Sequence, residues 1–241
     1  METSRRADDP VVRSLRDHVL EPLSTATEIV DREHAEVEAE RRAFARFGDR
    51  VAGIETETPS ASEPGQRQML VDTPSNRTER LRSAFRESVM SVDHYEERYG
   101  ESLVEHVAAE LTADVAAGFR RNSGAAFTEF YKSTLTSAVA NAVDGRERLC
   151  DQLDGERSSL EASRRALDDL VENCGGPWSE TATVGIEPEL DEIAQQRQAL
   201  VQRRDPVSGT DGHDLCDYVY GNADWTYPVL TAITRFRTAV V

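Results

Sequence analysis

The 241 residues are 38% hydrophobic, 30% charged and 6% aromatic; average globular chains are about 45–50% apolar, so core material is short and a compact sandwich or barrel is excluded. The 45 acidic residues outnumber the 28 basic ones, the formal net charge is -17, and Lys132 is the single lysine. This balance suits a salt-rich cytoplasm, where molar salt cuts the Debye length to about 3 Å, and makes nucleic acid an unexpected partner, because phosphate-driven affinity needs basic charge and falls with salt.

The first element in chain order is an amphipathic helix over 8–20, with Val12, Leu15 and Val19 on one face and Pro10 in its first turn. Pro22 restarts or kinks it. A heptad then runs to Ile54. Leu23, Val30, Val37, Phe44 and Val51 hold one core position; Ala26, Glu33, Glu40, Phe47 and Ile54 hold the other. Sustained period seven implies a coiled coil or bundle seam.

Residues 55–78, rich in proline and small polar residues, read as a flexible loop. Short helices follow over 79–121. Leu81, Phe85, Val89 and Val92 form a stripe, Asp93 caps the HYEERYG turn, and Thr112 opens a further helix. The longest helix is expected from Ser123 to Asn173, within a segment 122–176 that Gly175-Gly176-Pro177 stops. Leu149, Leu153, Leu160, Leu167 and Leu170 continue its apolar face, with Glu156 and Ser163 in the remaining core slots. Over 177–241, Glu187-Pro188 starts a helix and Pro228 another, the second within an aromatic cap that carries Trp225 and Tyr227.

The fold class expected is all-α: long antiparallel coiled-coil-like helices with short helices packed around them. The segments are 1–54, 55–78, 79–121, 122–176 and 177–241, forming one helical domain overall. Val37 and Phe44 on the first stem helix and Leu153, Leu160 and Leu167 on the long helix form matching seams; if these face each other, Phe44 is a buried core residue.

Several residue groups resemble chemistry. A carboxylate-bridged metal site wants Glu-x-x-His twice. The nearest pattern is Asp31-x-x-His34, once and with the shorter acid, so solvated helix faces are the expected reading. Asp93, His94, Tyr95, Glu96, Glu97 and Tyr99 form a polar cluster. Acids near a helix start explain it through the dipole; a pocket lining is the alternative. Cys216 follows His213 by three residues, but neighbouring carboxylates would raise its thiol pKa. The doubled arginines Arg41-Arg42, Arg120-Arg121, Arg164-Arg165 and Arg203-Arg204 sit among acids and read as solvated ion pairs. No phosphate loop, HExxH or GxSxG motif occurs.

The pieces AFARFGDRV (Ala43 to Val51), FRESVMSVDHYEERYGESL (Phe85 to Leu103), LDEIAQQRQ (Leu190 to Gln198) and DLCDYVYGNADWTYPVLTA (Asp214 to Ala232) carry a further signal. In them the chain resembles an uncharacterised family of halophilic-archaeal helical proteins, a domain of unknown function. The resemblance implies a cytoplasmic, salt-adapted helical protein and assigns no functional residue.

The expected function is a non-enzymatic helical interaction or scaffold protein of a salt-adapted cytoplasm. It has no catalytic, cofactor-binding or metal residues and no cofactor, and it works through a protein partner or self-association along the helical stem. Membrane association is not expected, because no run approaches about 18 apolar residues and METSRRADDP has no apolar stretch behind its arginines. Three separated cysteines without CxxC fit a reduced cytoplasm. The alternatives are a DNA-associated regulator using a helix-turn-helix-like unit over 103–121, and a small-molecule sensor with a pocket under Trp225 and Tyr227.

Overall fold

The computed structural model describes residues 10–56, 74–120, 127–173, 180–204, 206–207 and 214–240, which form helices joined by turns and contain no strand. In chain order the helices are α1 (Pro10–Ala52), α2 (Pro74–Ser88), α3 (Tyr95–Arg98), α4 (Leu103–Glu110), α5 (Ala113–Arg120), α6 (Glu129–Asn173), α7 (Glu180–Gln202), α8 (Leu215–Tyr220) and α9 (Pro228–Val240). The fold is all-α, with two long helices and shorter ones around them. Among the described residues no helix is long and apolar enough to cross a membrane. The chain divides into two compact units, Glu36–Arg148 and Met1–Ala35 with Leu149–Val241; α1 and α6 contribute to both.

In the unit Glu36–Arg148 the core gathers on Phe85 of α2. The rings of Phe47, Phe119 and Phe44 meet it at 5.0, 5.8 and 6.3 Å, all edge-on, the arrangement that aromatic quadrupoles favour. The short helices are set by their ends. Ser102 and Glu105 form a capping box at α4, and Thr112 Oγ1 accepts the Val115 N–H at 3.1 Å at α5. Gly100, at φ 55°, turns the chain after α3 in a conformation that L side chains rarely adopt. Gly118 lets α5 approach α6: a Cβ there would lie 2.3 Å from Tyr131 Oη, and that hydroxyl donates to Val115 O at 2.8 Å. α4 and α5 pack on each other and on α2.

Here α1 and α6 are antiparallel. Arg146 Nε donates to Glu40 Oε2 at 2.9 Å, and further on Lys132 Nζ donates to Ala52 O at 2.9 Å and Ile54 O at 2.8 Å. The ammonium thus takes up carbonyls that the end of α1 leaves open.

In the unit Met1–Ala35 with Leu149–Val241 the two helices are again antiparallel. Arg16 holds Asp168 through Nη2 at 2.6 Å, and Arg157 Nη1 lies 3.7 Å from Asp31 Oδ1. The buried side chains include Leu23 and Val30 of α1, Leu153, Leu160 and Leu167 of α6, Leu190 of α7, and Ile233 and Phe236 of α9. α9 packs on α7, where Arg237 Nη2 donates to Asp191 Oδ1 at 2.5 Å.

Several expectations change. Both positions of the first heptad are buried except Glu33 and Glu40, yet its partners divide. Phe44 meets Phe85 and lies under Arg146, whose Cζ is 4.3 Å above the ring. It joins Phe47, Phe85 and Phe119 in the core of the unit Glu36–Arg148. α1 runs through Pro22 without a restart. Pro188 stands inside α7, which begins at Glu180, rather than in its first turn. The N-cap of α3 is His94, not Asp93, without a side-chain cap bond. Most of the loop expected over 55–78 lies outside the described residues, as do Ser123 to Ala126 of the expected long helix, which begins at Glu129; α2 begins within that loop, at Pro74.

Candidate functional site

Two polar centres concentrate the ionisable groups, one in each unit, the first fully buried at its carboxylate and the second largely so. In the first, Glu156 occupies the α6 face that also carries Leu153 and Leu160, so helical spacing drives it inward with them. It is fully buried. Its Oε2 accepts from Arg197 Nη1 at 2.8 Å and Arg204 Nη2 at 2.5 Å. Its Oε1 accepts from Arg197 Nη2 at 2.7 Å and the Tyr220 hydroxyl at 2.7 Å. Arg197 Nη1 also donates to Ser159 Oγ at 3.1 Å, and Nη2 lies 3.7 Å from Cys216 Sγ. α6, α7, α8 and Arg204, just beyond α7, therefore meet at one carboxylate.

Burial alone would raise the Glu156 pKa, but the Arg197 and Arg204 guanidiniums outweigh it and hold the carboxyl below its usual range. Burial, followed by the field of Glu156, pushes the Cys216 thiol up to about 11 and raises the Tyr220 hydroxyl. Cys216 is thus a buried neutral thiol rather than a nucleophile. His213, its suggested base, lies outside the described residues.

In the second centre, Glu40 of α1 accepts from Tyr99 at 2.7 Å, from His94 Nε2 at 3.0 Å and from Arg146 Nε at 2.9 Å. An ionised carboxylate only accepts, which assigns the His94 proton to Nε2. Arg146 Nη2 continues to Glu110 Oε2 at 2.6 Å. Burial opposes ionisation of Glu40, and the Arg146 charge with the Tyr99 and His94 bonds reverses that, so its pKa is lowered. Tyr99 is raised by burial first and then by Glu40.

The polar cluster seen in the sequence therefore divides. His94 and Tyr99 converge on Glu40. Tyr95 is buried with its ring 4.9 Å from His106, and Asp93, Glu96 and Glu97 are exposed. His34 faces Asp154 at 3.6 Å rather than a second ligand on its own helix. Among the described residues no group of three His, Cys, Asp or Glu is placed to hold a metal ion.

Of the doubled arginines, Arg41 and Arg42 both hold Glu38, at 2.6 and 2.8 Å. Arg204 departs from the expected solvated pair by turning inward to Glu156. Sequence reasoning placed Glu156 in a core slot, and the signal it left unused was that a carboxylate in such a slot demands a cation.

Both carboxylates accept from side chains of other segments, so the centres work as ties between helices. No curated protein matches the chain, and no solved structure does. A family model matches residues 21–241, a span that includes every residue of both buried centres. The chain belongs to the family described as Domain of unknown function (DUF7260).

Proposed function

We propose that this protein is a non-enzymatic helical interaction or scaffold protein of a salt-adapted cytoplasm, engaging a protein partner or a second copy through its long helices. The supporting observation is the use made of its buried ionisable groups. Glu156 accepts from three side chains and Glu40 from three more, and the Cys216 thiol beside the first is pushed up to about 11. Groups held in one protonation state by burial and several partners suit structural rigidity better than proton or acyl transfer, which needs a pKa near the working pH.

Phe130, at the start of α6, is 82% exposed and offers an aromatic anchor of the kind that dominates protein interfaces. The net charge of -17 supports the salt-adapted part, because self-repulsion at that charge is tolerable only when screened.

Light scattering over a concentration series in molar KCl, with retrieval of the tagged chain from its native host in the same salt, tests the reading. The expected result is a stable self-complex or a defined partner, weakened in Phe130→Ala at an unchanged thermal midpoint. A chain that stays monomeric and is recovered alone overturns it.

A further inference from the structure

The Glu156 centre is unbalanced in charge. Two guanidiniums, Arg197 and Arg204, meet one carboxylate; Arg197 is 3% exposed and Glu156 not at all. Cys216 and Tyr220 are neutral near neutral pH, because burial and the Glu156 field raise both. Asp214, another carboxylate whose field reaches Cys216, caps the start of α8, where its Oδ1 accepts the Asp217 N–H at 2.9 Å. The same two arginines also carry surplus donors: Arg197 Nε and Arg204 Nη1 are both buried, and neither has an acceptor among the described residues.

We propose that the Arg197–Arg204 pair binds one small monovalent anion, of the chloride class, inside this unit. A buried water would accept from an orphan N–H but would leave the excess positive charge uncompensated, and an unpaired buried charge is costly. A halide accepts from N–H donors and cancels the charge together. Arg197 is buried and Arg204, 11% exposed in its side chain, still buries Nη1, which restricts the ligand to a small ion. The inference is independent of the scaffold reading, since it concerns what completes the interior of the chain.

A ligand that binds only the folded chain raises its melting midpoint, and does so according to its own concentration. Thermal melts at constant ionic strength, replacing potassium gluconate stepwise by potassium chloride, separate binding from screening. The expected midpoint climbs with chloride and levels at saturation. Arg204→Gln loses that chloride-dependent rise and keeps the response to total ionic strength. In crystals grown with bromide, an anomalous peak is expected within hydrogen-bond reach of Arg197 Nε or Arg204 Nη1. Identical midpoints in gluconate and chloride, or bromide peaks confined to the surface, overturn the proposal. Should Arg204→Gln fail to fold, the wild-type salt exchange and the bromide map still decide.

Discussion

Arg235 Nη1 donates to the backbone carbonyl of His18 at 3.1 Å. That carbonyl is the one Pro22 leaves without its helical donor, because proline at position i has no N–H for residue i−4. α1 therefore passes through Pro22 with a side chain from α9 closing the gap, while the same guanidinium nitrogen holds Glu21 at 2.5 Å.

A double-mutant cycle measures this substitution of donors. Arg235→Ala should cost about 0.5–1.5 kcal/mol, the range for one net hydrogen bond. In a Pro22→Ala background the cost should shrink, because the alanine N–H now serves His18. Chemical denaturation in molar KCl reads both values, and strictly additive costs would show that the two residues act separately.

Leucine at the two glutamate positions of the α1 heptad should give outcomes of very different size. Glu40→Leu strands His94 and Tyr99 and leaves Arg146 paired with Glu110 alone, so the cost should approach the roughly 3–5 kcal/mol of breaking a buried ion pair. Glu33 is half-buried and accepts from the Tyr218 hydroxyl, so Glu33→Leu should change stability by no more than about 1 kcal/mol. Phe44→Ala should cost about 3–5 kcal/mol as a buried large-to-small change. Its cost should not add to that of Glu40→Leu, because both act on Arg146. Equal, small effects at the two glutamates would overturn the assignment of the Glu40 centre.

The pH dependence has a defined sign. Glu40 and Glu156 are lowered, and Glu38 sits at about 2, chiefly through its Arg41 hydrogen bond. A carboxylate lowered by folding adds stability above its unfolded value, about 4.3 for Glu, and loses it as pH falls through the folded value. The melting midpoint should hold from neutrality to about pH 5 and then drop. Glu156→Gln should start lower and fall less steeply over the acid range. An unchanged acid slope in that variant would remove Glu156 from the titration.

Cys216 should resist thiol reagents in the folded chain. Its thiol is buried and pushed up to about 11, so little thiolate exists near neutral pH. A raised pKa adds stability that is complete below the unfolded value, about 8.5 for Cys, and is lost as pH rises through the folded one. Mass mapping of labelled cysteines should find Cys216 modified only at the rate of unfolding. Rapid labelling without denaturant would refute its burial.

Much of this architecture is legible as periodicity. Leu23, Val30, Val37, Phe44 and Val51 recur every seven residues, and all five are buried. The same spacing places Glu40 and Glu156 on buried faces. Periodicity reports which face of a helix turns inward and is silent on what meets it there. The donors to Glu156 stand 41, 48 and 64 positions along the chain. Arg204 follows a helix end among polar residues, where an inward side chain has no local signature. The pairing of Phe44 with Phe85 is likewise a long-range choice.

Lys132 carries the only ε-amine in the chain, and that amine already donates to two carbonyls, Ala52 O and Ile54 O. Amine-directed cross-linkers, acylating probes and lysine-targeted conjugation therefore meet a single side chain whose nitrogen is engaged in holding a helix end. Covalent mapping of any assembly this protein enters is better served by its 45 carboxylate side chains. Modification of Lys132 itself would report on the opening of the α1 terminus.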